Sequence, residues 1–330
     1  MLQTLPLVLF IVMVEVSVGS VSVLVLLDWR NEVKRGFLVS YALIYLGLSG
    51  LTYLTQQNFA SPELLNTYTQ LDKAWTGYQS LPLLLFFLLL IPYSLFLLLD
   101  KSAGVDGREA QEKAQAEGQP VRQSRIRLLR LISGGLTVVA GLVTLFVMAM
   151  IFRPVAAANV GGAFTVVGFF AASFALGGVL TAMWLGHWYL VTPALSERPL
   201  LFATTVVLIA LIAQVIFSFA AGPATAAATQ PAASSAPTVV ATATPTVVGT
   251  PTPSANVKPP DAPVVAPLSA DVIGWLRILV GFVMPLVLGG LSWKLIRDRS
   301  FQSATGMLYL VVVCSLAGEL MARGLFLGKL

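Results

Sequence analysis

Eight apolar runs, each long enough to cross a bilayer, leave this chain few ways to fold. They lie at roughly 5–27, 36–55, 80–99, 129–151, 164–190, 199–220, 271–294 and 303–325. About 20 mainly apolar residues make a helix that spans the hydrocarbon layer, and a helix satisfies its own backbone groups there. The predicted fold is an all-α polytopic membrane protein with about eight transmembrane helices. Composition agrees: 57% of the residues are hydrophobic and 11% charged, far from the balance of a soluble domain. No basic residue precedes the first run, and Glu15 interrupts it, so it reads as a retained spanning helix rather than a cleavable signal.

The basic residues set the orientation. Arg30, Lys34, Arg35, Lys101, Arg108, Lys113, Arg122, Arg125, Arg127, Arg130, Arg198, Lys294, Arg297 and Arg299 fall in or beside one set of loops. The opposite set holds Lys73, Arg153, Lys258, Arg323 and Lys329. Positive charge marks the cytoplasmic side, which predicts that both termini are extracytoplasmic. The net charge of +5 is thus accounted for by topology and is no nucleic-acid footprint.

Ionisable residues inside the spans are the first places to look for function, because a bilayer makes them costly. Glu15 lies about 15 Å from the outer end of its helix at ~1.5 Å per residue, near the bilayer centre. It should be protonated, paired or facing a wet cavity; a hydrogen-bonded neutral carboxyl and a proton-handling group both fit. Gly19 and Ser22 follow on its face and would let a second helix pack closely. In the final two runs Arg277 and Glu319 each fall roughly 9 Å inside the same surface, which makes them candidate partners. Glu319 and Arg323 lie four apart and share a helix face. A structural staple, a substrate contact, and charges snorkelling to the headgroups all remain open for this group.

Several segments have simpler readings. Leu64, Tyr68, Leu71 and Trp75 recur at helical spacing behind Ser61-Pro62, which predicts a short amphipathic helix on the membrane surface or a docking platform. The 100–127 loop is polar, with Glu109 and Lys113 spaced for a helix pair, Gly118 as a stop, and a basic end, Arg122 to Arg130, at the level of anionic headgroups. Small residues from Ala171 to Gly178 predict a tightly packed fifth helix. That helix ends in Trp184-Leu185-Gly186-His187-Trp188-Tyr189, which reads as an interfacial aromatic belt, with His187 as an axial haem ligand or proton relay the alternative. Pro285 is read as the one proline breaking a helix interior. The 221–268 stretch is built mainly of Ala, Thr, Pro, Ser and Val and reads as a disordered extracytoplasmic linker. It would divide a six-helix region, 1–220, from a C-terminal hairpin, 269–330.

Within that hairpin, Ala317-Gly318-Glu319-Leu320-Met321-Ala322-Arg323-Gly324-Leu325-Phe326 resembles the closing helix of the dimethyl sulfoxide reductase membrane-anchor family, near Gly-Glu-Leu-x-Gly/Ala-Arg-x-Leu-Phe. Eight helices with both termini outside also resemble that family and its polysulfide-reductase relatives. The resemblance implies an anchor for iron–sulfur subunits that contacts quinone near the outer membrane face. Of the site residues, Glu319 and Arg323 match the motif; the Thr/Pro linker and the aromatic run around His187 depart from the pattern.

Other chemistry is poorly supported. No nucleotide loop, zinc-ligand spacing or nucleophile–base constellation is present. Cys314 is the single cysteine and His187 the single histidine, which leaves no intrachain disulfide, thiolate cluster or bis-histidine haem. No metal site is predicted. The reading is an integral subunit of an electron-transfer complex in the cytoplasmic membrane, with iron–sulfur or cytochrome subunits and lipids as partners. Glu319, Arg277 and Glu15 would handle quinone and protons, with Arg323 and His187 as cofactor-binding candidates. A non-redox structural subunit and a proton-coupled small-molecule transporter are the alternatives.

Overall fold

A computed structural model describes residues 4–117, 125–155, 162–192, 195–220, 270–328 and 330. These residues form helices and connecting turns, with no strand among them. The spanning helices are α1 (Leu5–Arg30), α2 (Arg35–Phe59), α5 (Ser80–Leu99), α7 (Arg125–Phe152), α8 (Ala163–Val191), α9 (Arg198–Ala220), the pair α10 (Ala270–Ile278) and α11 (Met284–Arg297), and α12 (Phe301–Leu327). Counting α10 and α11 as one interrupted span, eight helices are long and apolar enough to cross a membrane, and the protein is an all-α multi-pass membrane protein. With eight crossings the two ends share one face, called here the terminal face; the loops rich in arginine and lysine form the basic face. The 221–268 linker lies outside the described residues.

The bundle is built around α1. Of its most apolar window 83% is buried, against 28–50% for the other spans. It packs on α8, α2, α7 and α12. With apolar residues on every side and its polar ones, Glu15, Ser17, Ser20, Ser22 and Asp28, buried as well, it is a helix of the protein interior. Its closest neighbour is α8, as the small residues of both helices predict. A Cβ at Gly19 would meet the Ser173 carbonyl, and one at Gly177 would meet the Gly19–Ser20 backbone. Ser173 Oγ donates to the Glu15 carbonyl at 2.8 Å across this crossing. Such close backbone approach is how helices associate where lipid offers no hydrophobic gain.

The last hairpin packs against α1, α8 and α9 rather than standing apart. Its first helix is interrupted by a π-helical turn, Leu279–Val283, in which the Met284 N–H reaches the Leu279 carbonyl. Pro285 supplies the reason, since it has no N–H to give Gly281. The widened turn sets Gly281 against Gly318 of α12, where a Cβ on Gly281 would lie 2.9 Å from the Gly318 Cα. Pro285 is not the sole interior proline: Pro92 lies inside α5.

Two surface readings need correction. The 61–76 segment is not one amphipathic helix but two single turns, α3 (Pro62–Leu65) and α4 (Lys73–Thr76). Ser61 caps the first and Asp72 the second, and Asp72 is also held by its own N–H on the Ile151 carbonyl at 3.0 Å. The predicted aromatic belt turns inward: Trp184 packs on Tyr41, Trp188 on Phe37 and Tyr189 on Phe301. The 100–127 loop carries α6 (Gly104–Ala116), stabilised by an Arg108–Glu112 pair at 3.5 Å, and Val105 N–H donates to the Val33 carbonyl at 3.0 Å; Gly118 lies outside the described residues.

Candidate functional site

The ionisable residues of the terminal half converge where α1, α9, α10 and α12 meet α8. Glu15 is wholly buried on α1. Arg323 reaches it from the last helix, with Nη2 donating to Glu15 Oε1. Arg323 Nε lies 2.8 Å from Glu319 Oε1, one turn earlier on the same helix. The guanidinium also lies over the Phe169 ring, 3.9 Å from its centroid. One cation is thus held between two carboxylates and an aromatic face, an arrangement suited to the planar, delocalised guanidinium. Arg323 is 8% exposed and Glu319 6%, so neither snorkels to the headgroups.

Glu319 has a second partner that the sequence reading missed. Gln214 Nε2 on α9 donates to Glu319 Oε2 at 2.6 Å. An amide in the middle of an otherwise apolar run was the available sign, because its two donors and carbonyl need partners inside a bilayer.

Arg277 does not pair with Glu319. No ion-pair contact joins them among the described residues. Instead Arg277 Nη2 donates to Ser218 Oγ at 3.3 Å, and the guanidinium lies 5.3 Å from the Phe282 ring centroid. The Arg323 side chain reaches Glu319 from its own helix instead. Arg277 and Glu319 face one another across a small cleft, lined also by Gln214, Phe282, Ser315 and Ala322. Its cavity is about 10 Å³, the room one water molecule needs. The π-helical turn shapes this cleft, since Gly281 and Phe282 belong to it and Arg277 precedes it.

Arg277 Nε, Ser315 Oγ and Glu15 Oε2 are buried here with no hydrogen-bond partner, as is Arg323 Nε apart from its ion-pair contact with Glu319. Such atoms are uncommon in a packed interior and are expected where a ligand or water approaches. The site therefore presents a free donor on the cleft wall, a hydrogen-bonded carboxylate beside it, and a second carboxylate deeper in with one free oxygen. The formal charges of Glu15, Glu319, Arg323 and Arg277 sum to zero.

His187 is elsewhere. It lies exposed in the last turns of α8, toward the basic face, and does not line the cleft. No group of three or more His, Cys, Asp or Glu residues able to hold a metal occurs among the described residues.

A second buried charge cluster, unforeseen from the sequence, lies at the other end of α1. Arg130 was assigned to the headgroup level with its basic neighbours, yet it is 1% exposed. Its Nε is 3.2 Å from Asp28 Oδ2 and its Nη1 donates to Asp100 Oδ2 at 2.8 Å. Tyr93 donates to Asp28 Oδ2 at 3.3 Å. The sequence did carry a sign: Asp28 and Asp100 each close an apolar run at the depth where Arg130 opens one. Comparison of the chain with family models, with curated proteins and with solved structures finds no match.

Proposed function

We propose that the chain is an integral subunit of a membrane electron-transfer complex and that the Arg277–Gln214–Glu319 cleft contacts quinone near the terminal face. The observation that carries this reading is the cleft itself. It joins an unpartnered guanidinium Nε to a buried carboxylate, with a line of ionisable groups leading inward to Glu15. The resemblance of Ala317–Phe326 to the dimethyl sulfoxide reductase anchor family points the same way. In this reading the basic loops face the cytoplasm, the membrane is the cytoplasmic one, and the α3–α4 loop on the terminal face is where iron–sulfur or cytochrome subunits dock.

The residues fit the headgroup chemically. A quinone oxygen asks for donors, which Arg277 and Gln214 provide, and for a nearby proton acceptor, which Glu319 provides. Phe282, Ala322 and Leu176 give the apolar wall a ring needs. The cavity has room for a water and not for a ring, so the ring would sit at the open side of the cleft. Bound quinone supplies the two-electron, two-proton chemistry. The chain's own residues orient and protonate: Arg277 fixes an oxygen through Nε, Gln214 holds Glu319 in place, and Glu15 Oε2 is the next oxygen inward able to hold a proton.

A structural reading is favoured by a different observation. Arg323 ties α12 to α1 through Glu15, with Glu319 of its own helix also against the guanidinium, which is what a purely mechanical staple would also do. Glu319→Gln separates the two. It keeps the size of the side chain and, with the Gln214 amide turned to accept, a partner for each end, but it removes the charge and cannot take a proton. A quinone-site subunit assembles with this change and loses quinol turnover. A staple loses assembly, or changes nothing.

His187, exposed and away from the cleft, takes no part in this reading.

A further inference from the structure

The cluster at the basic-face end of α1 holds more acid than base in a closed space. Asp28, Asp100, Arg130 and Tyr93 are each 2% exposed or less. Two carboxylates share one guanidinium, so if both were ionised the group would carry a net negative charge away from water. Burying a charge without compensation costs several kcal/mol, and a carboxylate so placed is neutralised instead.

The hydrogen bonds identify which acid carries the proton. Asp100 is well provided for as an anion: Oδ1 accepts from the Ser102 N–H at 2.9 Å and from Ser102 Oγ at 2.5 Å, while Oδ2 accepts from Arg130. Asp28 is not. Its Oδ2 has the Tyr93 hydroxyl at a long 3.3 Å and Arg130 Nε at 3.2 Å without an aligned hydrogen bond, and its Oδ1 is buried with no partner. Arg127, half-buried one turn before Arg130, is the other charged group that bears on Asp28. It makes no ion-pair contact with either acid among the described residues, and its partial exposure lets water and salt screen it.

We propose that Asp28, Asp100 and Arg130 form a proton-binding site on the basic face, in which Asp28 Oδ1 holds one exchangeable proton. Asp100 and Ser102 connect it to the surface, since Ser102 is half-buried and Lys101 beside it is exposed. Inward, Val23, Leu24 and Leu27 are buried and carry no polar side-chain atom. They separate Asp28 from the next hydroxyls along α1 itself. This inference is independent of the quinone reading.

Infrared difference spectroscopy on the full chain in lipid nanodiscs, across a pH titration, tests it. The expected result is a carbonyl-stretch band of a protonated carboxyl that shifts in heavy water. Asp28→Asn and Asp100→Asn each leave one acid per guanidinium, so each abolishes the band, while Asp72→Asn on the terminal face leaves it unchanged. Should the buried variants fail to fold, wild-type chain labelled with carbon-13 aspartate replaces them, and the band must move with the label. Read on chain labelled with carbon-13 aspartate, which excludes Glu15 and Glu319, a band that survives both variants, or no labelled band at neutral pH where surface aspartates are ionised, overturns the proposal.

Discussion

Arg323, on the last helix, donates to Glu15 at the middle of the first, so the two ends of the chain are joined inside the bundle by a buried ion pair. The pair spans 308 residues of sequence, including the whole 221–268 linker. It holds the C-terminal hairpin against the six helices that precede it.

Removing the cation should therefore be far more damaging than removing the whole group. Arg323→Met leaves Glu15 and Glu319 buried together without their partner, and loss of one member of a buried ion pair costs about 3–5 kcal/mol. The triple change Glu15→Gln, Glu319→Gln, Arg323→Met should recover most of that loss. Thermal unfolding in detergent, followed by monodispersity, measures both. Equal stability of the single and triple variants would contradict the arrangement.

The α1–α8 crossing makes a sharp contrast between glycines. Gly177→Leu drives a side chain into the Gly19–Ser20 backbone, and overpacking of this kind costs about 1–3 kcal/mol or more. Gly47 and Gly135 have open space around an added Cβ. Gly47→Ala and Gly135→Ala should be neutral or stabilise by about 0.4–1 kcal/mol, through reduced freedom of the unfolded chain. The same unfolding assay reads all three.

Orientation is open to direct labelling. With Cys314→Ser as background, Gln70→Cys on the terminal face should react with an impermeant maleimide on intact cells. Gln115→Cys in α6 should react only after permeabilisation. The opposite pattern would reverse the assignment of sides.

Much of this architecture was readable in advance, and the reasons differ by feature. The spans were legible because apolar length alone decides whether a helix can cross a bilayer. Glu319 and Arg323 were legible as a pair because four residues bring side chains together on any helix. Which way that face turns is set by packing between helices, so the sequence left snorkelling, a staple and a substrate contact open for Arg323, and the buried contact with Glu15 decides against snorkelling. Arg130 was hidden for a similar reason: it is the last of a basic run, and only the convergence of α1, α5 and α7 separates it from its solvated neighbours. The α3–α4 break came from Asp72, whose capping and backbone bonds outweigh the hydrophobic spacing of Leu64, Tyr68, Leu71 and Trp75.

The most direct measurement is the quinone content and subunit composition of the tagged chain purified from its own membranes in mild detergent. Wild type should carry bound quinone in fixed stoichiometry with iron–sulfur or cytochrome subunits, visible in a redox-difference spectrum. Arg277→Gln should retain the subunits and lose most of the quinone. A chain that purifies alone, colourless and quinone-free from membranes that contain quinone, would contradict the electron-transfer reading and leave Arg323 and its two carboxylates as a structural tie.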